Sequence, residues 1–130
     1  MKTKLPSKEK DLHRAVCEYL RLQYPKVMFN SDMSGLRLTI GQATQAKRMR
    51  SNQGFPDIVI YEARHGYHAL FLELKREGER IFLKDGKTPT TPHIAEQAEC
   101  INKLCDRMYN AQFVIGFDEA REVIDRYLNE

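Results

Sequence analysis

Two strand-like runs separated by a short turn constrain this chain more than any other feature. Residues 57–61 (Asp57, Ile58, Val59, Ile60, Tyr61) form a β-branched run of strand length introduced by Pro56. Residues 67–75 again read as strand, and His65-Gly66 supplies the turn between them, so the two runs predict a β-hairpin. Side chains alternate along a strand, which places Leu70, Leu72 and Leu74 on one face of the second run and Phe71, Glu73 and Lys75 on the other.

Helical periodicity brackets this hairpin. From Ser7, a plausible N-cap, Leu12, Val16, Tyr19 and Leu20 recur at helical spacing, and Pro25 lies beyond the end. Residues 27–29 suggest a short strand, the polar stretch through Asp32, Ser34 and Gly41 carries no clear pattern, and residues 42–50 fit a short basic helix. Thr91 and Pro92 resemble an N-cap and N1 pair, after which Ile94, Ala98, Ile101, Leu104, Cys105 and Met108 mark one face of a long helix. A last strand over residues 112–116 and a helix over 118–128, with Val123, Ile124, Tyr127 and Leu128 inward, complete a mixed α/β order. Residues 76–90, with Asp85-Gly86 as a turn, are too polar for core and too long for a simple connection, so a basic protrusion or mobile loop is expected there.

A length of 130 residues suits one domain, and 42% hydrophobic with 30% charged residues provides a core and a solvated surface. The excess of 21 Lys and Arg over 18 Asp and Glu is too small to mark a polyanion-binding protein by itself. Local clusters are more informative: Lys47, Arg48 and Arg50, then Arg76, Arg80, Lys84 and Lys87, read either as solvated charge or as phosphate contacts. Cys17, Cys100 and Cys105 are an odd set without CxxC spacing, expected as reduced core residues. The N-terminus lacks the apolar segment of a signal peptide, and no run approaches the roughly 18 apolar residues that span a bilayer. A reducing, cytoplasmic compartment and no membrane association are the expectation.

Glu73 and Lys75 are neighbours on one strand face, an arrangement that, taken alone, a solvated edge pair explains better than a site does. Asp57 adds weight, because it follows the Gly-Phe-Pro bend at the mouth of the partner strand and can face the same side. Two converging carboxylates repel unless neutralised, and a hard divalent cation taking oxygen ligands does this readily. Lys75, too long and positive to be a ligand, can position or deprotonate a water and stabilise charge on a phosphate. Gln97 and Glu9 interrupt apolar helix stripes; each reads either as functional or as a boundary amide and a first-turn carboxylate, respectively.

Taken together, Gly54-Phe55-Pro56-Asp57, Glu73-Leu74-Lys75 and Gln97 resemble the PD-(D/E)XK nuclease superfamily, and in particular its VRR-NUC family. The similarity runs from about Glu9 to Leu128 and includes Glu9-Lys10-Asp11-Leu12-His13. It implies one nuclease domain over residues 1–130, with a restriction-endonuclease-like core: a central mixed β-sheet flanked by α-helices. It further implies Mg²⁺ or Mn²⁺ dependence and phosphodiester hydrolysis of DNA. By position, the resemblance makes Asp57 and Glu73 metal ligands, with the Leu74 carbonyl as a backbone ligand and Glu9 as an outer or second-metal carboxylate. It makes Lys75 the residue that orients the attacking water, steadied by Gln97. Stand-alone members look like homodimers that cut branched DNA such as four-way (Holliday) junctions, a property of resolvases. The segment 76–91 is longer than the family's usual connection.

Rival chemistries find less support. Gly86-Lys87-Thr88 lacks the glycine a phosphate loop needs five residues earlier, where Ile81 stands, so no nucleotide cofactor is expected. His65 and His68 have no accompanying Cys or second His pair for zinc. One remaining alternative is a non-catalytic nucleic-acid-binding domain with degenerate acidic residues, against which the complete Asp, Glu, Lys set argues; another is a replication or repair interaction module, whose surface leaves no short signature.

Overall fold

The computed structural model describes residues 9–32 and 38–129, excluding the Glu9 side chain. The expected N-cap Ser7, the Glu9 carboxylate and Ser34 therefore lie outside the described residues. The elements are α1 (Glu9–Gln23), β1 (Phe29–Ser31), α2 (Ile40–Arg48), β2 (Ile58–Ile60), β3 (Leu70–Lys75), α3 (Pro92–Asp106), β4 (Asn110–Ile115) and α4 (Gly116–Asn129). The four strands form one sheet in the order β1-β2-β3-β4. The first three pair antiparallel, whereas β3 and β4 run parallel, so α3 serves as the crossover. This is the mixed sheet flanked by helices that the sequence implied.

One face of the sheet is the main core. Leu70, Leu72 and Leu74 pack with Ile58, Ile60 and Val114 against Leu12, Val16 and Leu20 of α1 and Ala120, Ile124 and Tyr127 of α4. The four-residue spacing in α1 keeps those three side chains on one stripe. His13 of α1 bonds the Ser31 hydroxyl, on the same sheet face as its partner Ile58. The hydroxyls of Tyr19 and Tyr24 donate to Asp125 at 2.5 and 2.6 Å, joining α1 to α4. Burial and the adjacent Asp125 carboxylate push both phenols up.

The hairpin turn closes with reciprocal bonds between Arg64 and Tyr67, at 3.2 and 2.8 Å. His65 (φ 55°) and Gly66 (φ 83°) both adopt the left-handed region that a two-residue hairpin connection demands. The two hairpin strands are shorter than the sequence runs suggested, the first strand lies at residues 29–31 rather than 27–29, and the last at 110–115 rather than 112–116. α2 occupies most of the expected basic helix. Thr39 and Gln42 form its capping box, and it buries no residue.

Of the two forms expected for segment 76–90, the structure takes the basic protrusion, a hairpin-like excursion in which the Leu83 N–H donates to Thr88 at 2.8 Å and the Thr90 N–H to Ile81 at 2.9 Å. Asp85 organises its tip by accepting from the N–H groups of Lys87 and Thr88 and from the Thr88 hydroxyl. Ile81, 8% exposed, and Phe82, edge-on to Phe113, anchor it despite its polar composition. One expectation is corrected: Cys105 is exposed, not core, and donates to the Ala111 carbonyl; Cys100 is buried and Cys17 half-buried. Among the described residues, no helix is long and apolar enough to cross a membrane.

Candidate active site

The second face of the sheet carries the polar residues. The register pairs Ile58 with Leu72 and Val59 with Phe71, so Asp57 stands opposite Glu73 one position beyond the end of β2. Directly opposed residues project to the same face with Cβ atoms about 4.5–5.5 Å apart. Extending the β1 register in the same way sets Asp32 opposite Asp57, and the Asp32 N–H donates to the Asp57 carbonyl at 2.7 Å. Asp32, Asp57 and Glu73 thus form one row across three strands.

These carboxylates do not converge freely. Asp57 Oδ2 accepts the Leu74 N–H at 2.8 Å, and Asp32 Oδ1 meets the Arg50 guanidinium at 3.1 Å. Among the described residues, no three His, Cys, Asp or Glu side chains gather closely enough to hold a metal on their own. A cation here would need backbone and solvent oxygens, which suits Mg²⁺, an ion that keeps several waters and takes one or two carboxylates.

Pro56 supplies a reason for the backbone oxygen. In an extended strand a residue's N–H and C=O point to the same edge, so the Leu74 carbonyl, like its N–H, faces β2. Its ladder partner by register is Pro56, which has no N–H to give. The ladder stops there, the Asp57 side chain takes the Leu74 N–H, and the Leu74 carbonyl is left for another partner. The donor chemistry therefore fits a hard divalent cation: two carboxylates and a carbonyl at the mouth of one hairpin.

Glu73 and Lys75 are 1% and 3% exposed. Burying charged groups is costly unless other charges and hydrogen bonds compensate, so packing alone does not account for them. α3 covers this part of the face. Its inward residues Ile94, Gln97, Cys100 and Ile101 lie outside the main core cluster, and the helix packs against β4. Burial pushes the Cys100 thiol up, Lys103 draws it back, and the charge of Glu73 raises it further.

Gln97, 5% exposed, has its amide nitrogen 3.3 Å from His93 Nε2, and its Oε1 is buried without a hydrogen-bond partner among the described residues. The bond to His93 engages the amide nitrogen and leaves Oε1 for the steadying of Lys75 or a water that the sequence led us to expect. Gly54 explains how the bend reaches the helix. Its φ is 83°, and an added Cβ would stand 2.8 Å from the Glu96 carbonyl oxygen and 2.9 Å from the Gln97 nitrogen. Only glycine combines that conformation with so close an approach.

Along the β1–β2 half, the same face opens into a groove of about 480 Å³ lined by Asp32, Arg50, Phe55, Asp57 and Phe71, among others. Glu73 is the next position on that face of β3 after Phe71. Lys47 and Arg48 occupy the last turn of α2, and Arg76, Arg80, Lys84 and Lys87 are exposed on the 76–90 excursion. Arg50 differs from these basic residues because Asp32 pairs with it inside the groove. Asp32 and His93 were not singled out in the sequence; the Asn30 and Asp32 alternation would have exposed the former had β1 been placed correctly.

No family model matches the sequence, and no curated protein matches it. A solved structure described as a "VRR_NUC domain protein" matches with a TM-score of 0.68 and 26% identity, over 97% of this chain and 91% of that one. The agreement spans nearly the whole of both chains and supports the resemblance to the VRR-NUC family.

Proposed function

We propose that this protein is a divalent-metal-dependent nuclease hydrolysing DNA phosphodiester bonds. The observation carrying this reading is the opposition of Asp57 and Glu73 across β2 and β3, with the Asp57 carboxylate tied to the Leu74 N–H and Lys75 buried on the same face. Asp57, Glu73 and the Leu74 carbonyl would hold Mg²⁺ or Mn²⁺, and Glu9, on the first turn of α1, would be an outer ligand. When bound, such an ion supplies a nucleophilic water at neutral pH and neutralises charge on the phosphate.

Lys75 orients the attacking water through its ammonium and offsets the negative charge that builds on the phosphate oxygens. Gln97 acts as a positioning residue, its buried Oε1 offering an acceptor over that face. Leu72 and Leu74, fixed in the core, keep the strand rigid beneath these groups. Lys47, Arg48, Arg76, Arg80, Lys84 and Lys87 contact DNA phosphates outside the site.

The test is incubation of the purified protein with Mg²⁺ or Mn²⁺ and linear, flapped and four-way DNA. Cleavage is expected, falling by about 10²–10³ or more in Asp57→Asn at unchanged thermal stability. Intact DNA with both ions would leave a nucleic-acid-binding module in its place. Preference for branched DNA and a homodimer are further parts of the proposal, motivated by the family resemblance and by the two matched cuts a junction needs. Faster cutting of the four-way substrate and a dimer mass by light scattering are the expected results.

A further inference from the structure

We infer that the groove beside Asp57 receives one unpaired nucleobase from the DNA strand being cut, a substrate feature that rests on the nuclease reading and deepens it. Size is the first constraint. A volume of about 480 Å³ suits a base with its sugar, but not a duplex whose major groove alone is about 12 Å wide. The base must therefore leave its stack.

The walls match a planar, apolar ring. Phe55 and Phe71 both line the groove, and Phe71 is fixed by an edge contact with Tyr109, ring centres 5.4 Å apart at 90°. Every base has a π-face, so such walls accept a base irrespective of sequence.

The polar end suits a neutral ligand. Arg50 and Asp32 are only 22% exposed each and pair at 3.1 Å, which cancels the guanidinium charge. A phosphate would favour an uncompensated cation, whereas a base edge presents donors and acceptors that Arg50, Asp32 and the Asn30 amide can complement. Asp57 borders the same groove, so the seated base belongs to a nucleotide flanking the scissile phosphate.

Two measurements test this with the full chain. First, substrates carry a single abasic residue placed in turn at each position around the cut. An increase in KM of about tenfold or more at one position is expected, together with slower cutting when that position is fully paired. Uniform cutting of the abasic series overturns the inference. Second, a short single-stranded thymidine oligonucleotide bearing one 2-aminopurine is bound in Ca²⁺ or EDTA. Fluorescence should fall through stacking with the natural protein but not with a folded Phe55→Ala variant; unchanged fluorescence at saturation, or no binding, overturns the inference. Loss of all cleavage together with intact quenching would reject the nuclease reading alone. Should Phe55→Ala fail to fold, the abasic series still decides.

Discussion

The two faces of β3 are built by alternate residues of one six-residue strand, yet they obey different rules. Leu70, Leu72 and Leu74 are wholly buried among apolar side chains of α1 and α4, and hydrophobic transfer accounts for them. Phe71, Glu73 and Lys75 face α3 and the open groove, and two of them bury charge at a cost to stability. The first face holds the fold together, while the second is tolerated because the first is strong. Removing residues from each should therefore separate stability from activity.

The largest effect is expected from the paired substitution Glu73→Gln with Lys75→Met. Cleavage should fall by about 10³ or more, while unfolding in denaturant stays level or shifts upward, because removing both buried charges together relieves the cost of desolvating them. A loss of several kcal/mol would make the polar face structural and erase the contrast. Leu72→Ala probes the opposite face and should cost about 2–5 kcal/mol through a core cavity, with residual activity tracking the folded fraction. An activity loss far beyond the folded fraction would show that the core face also tunes the site.

Gly54→Ala acts at the seam between the bend and α3. It should cost about 1–3 kcal/mol, since the added Cβ meets helix backbone at 2.8 Å and the residue must hold a positive φ. Cleavage should drop more than stability, because the same bend carries Asp57; equal losses would uncouple the bend from the site. The smallest effect concerns Asp85, whose carboxyl is held below its ordinary value of 3.8 by the Thr88 hydroxyl and the Thr88 and Lys87 N–H groups. A depressed value means the tip is supported above 3.8 and loses that support as pH falls through the lower folded value. Amide chemical shifts of Lys87 and Thr88 should move in that acidic window and stay constant near neutrality, without disturbing either face of β3.

The stripes of α1 and α4, the hairpin and the Thr91-Pro92 helix start were legible because each rests on a local period or a local turn preference, whereas the α3 stripe was carried too far, since Cys105 is exposed and Met108 lies exposed beyond the helix end. The common face of Asp57 and Glu73 was legible for the same reason, as alternation is a property of the strand itself. Asp32 was not, because its place beside Asp57 follows from a register between distant segments, and the expected strand stopped at residue 29, short of it. Ile81 and Phe82 were hidden by the charges around them, which outweigh two apolar anchors in any window average. The bond from Gln97 to His93 depends on side-chain conformers that spacing along a helix does not specify.

Pro56 sets two selective pressures against each other. Any other amino acid there would bring an amide hydrogen able to zip the hairpin one rung further, gaining a bond for the sheet while capping the Leu74 oxygen that a cation would use. On the proposed reading, greater robustness at this single nitrogen would come at the expense of a cation ligand, and the imino acid at the strand's mouth leaves the sheet one rung short.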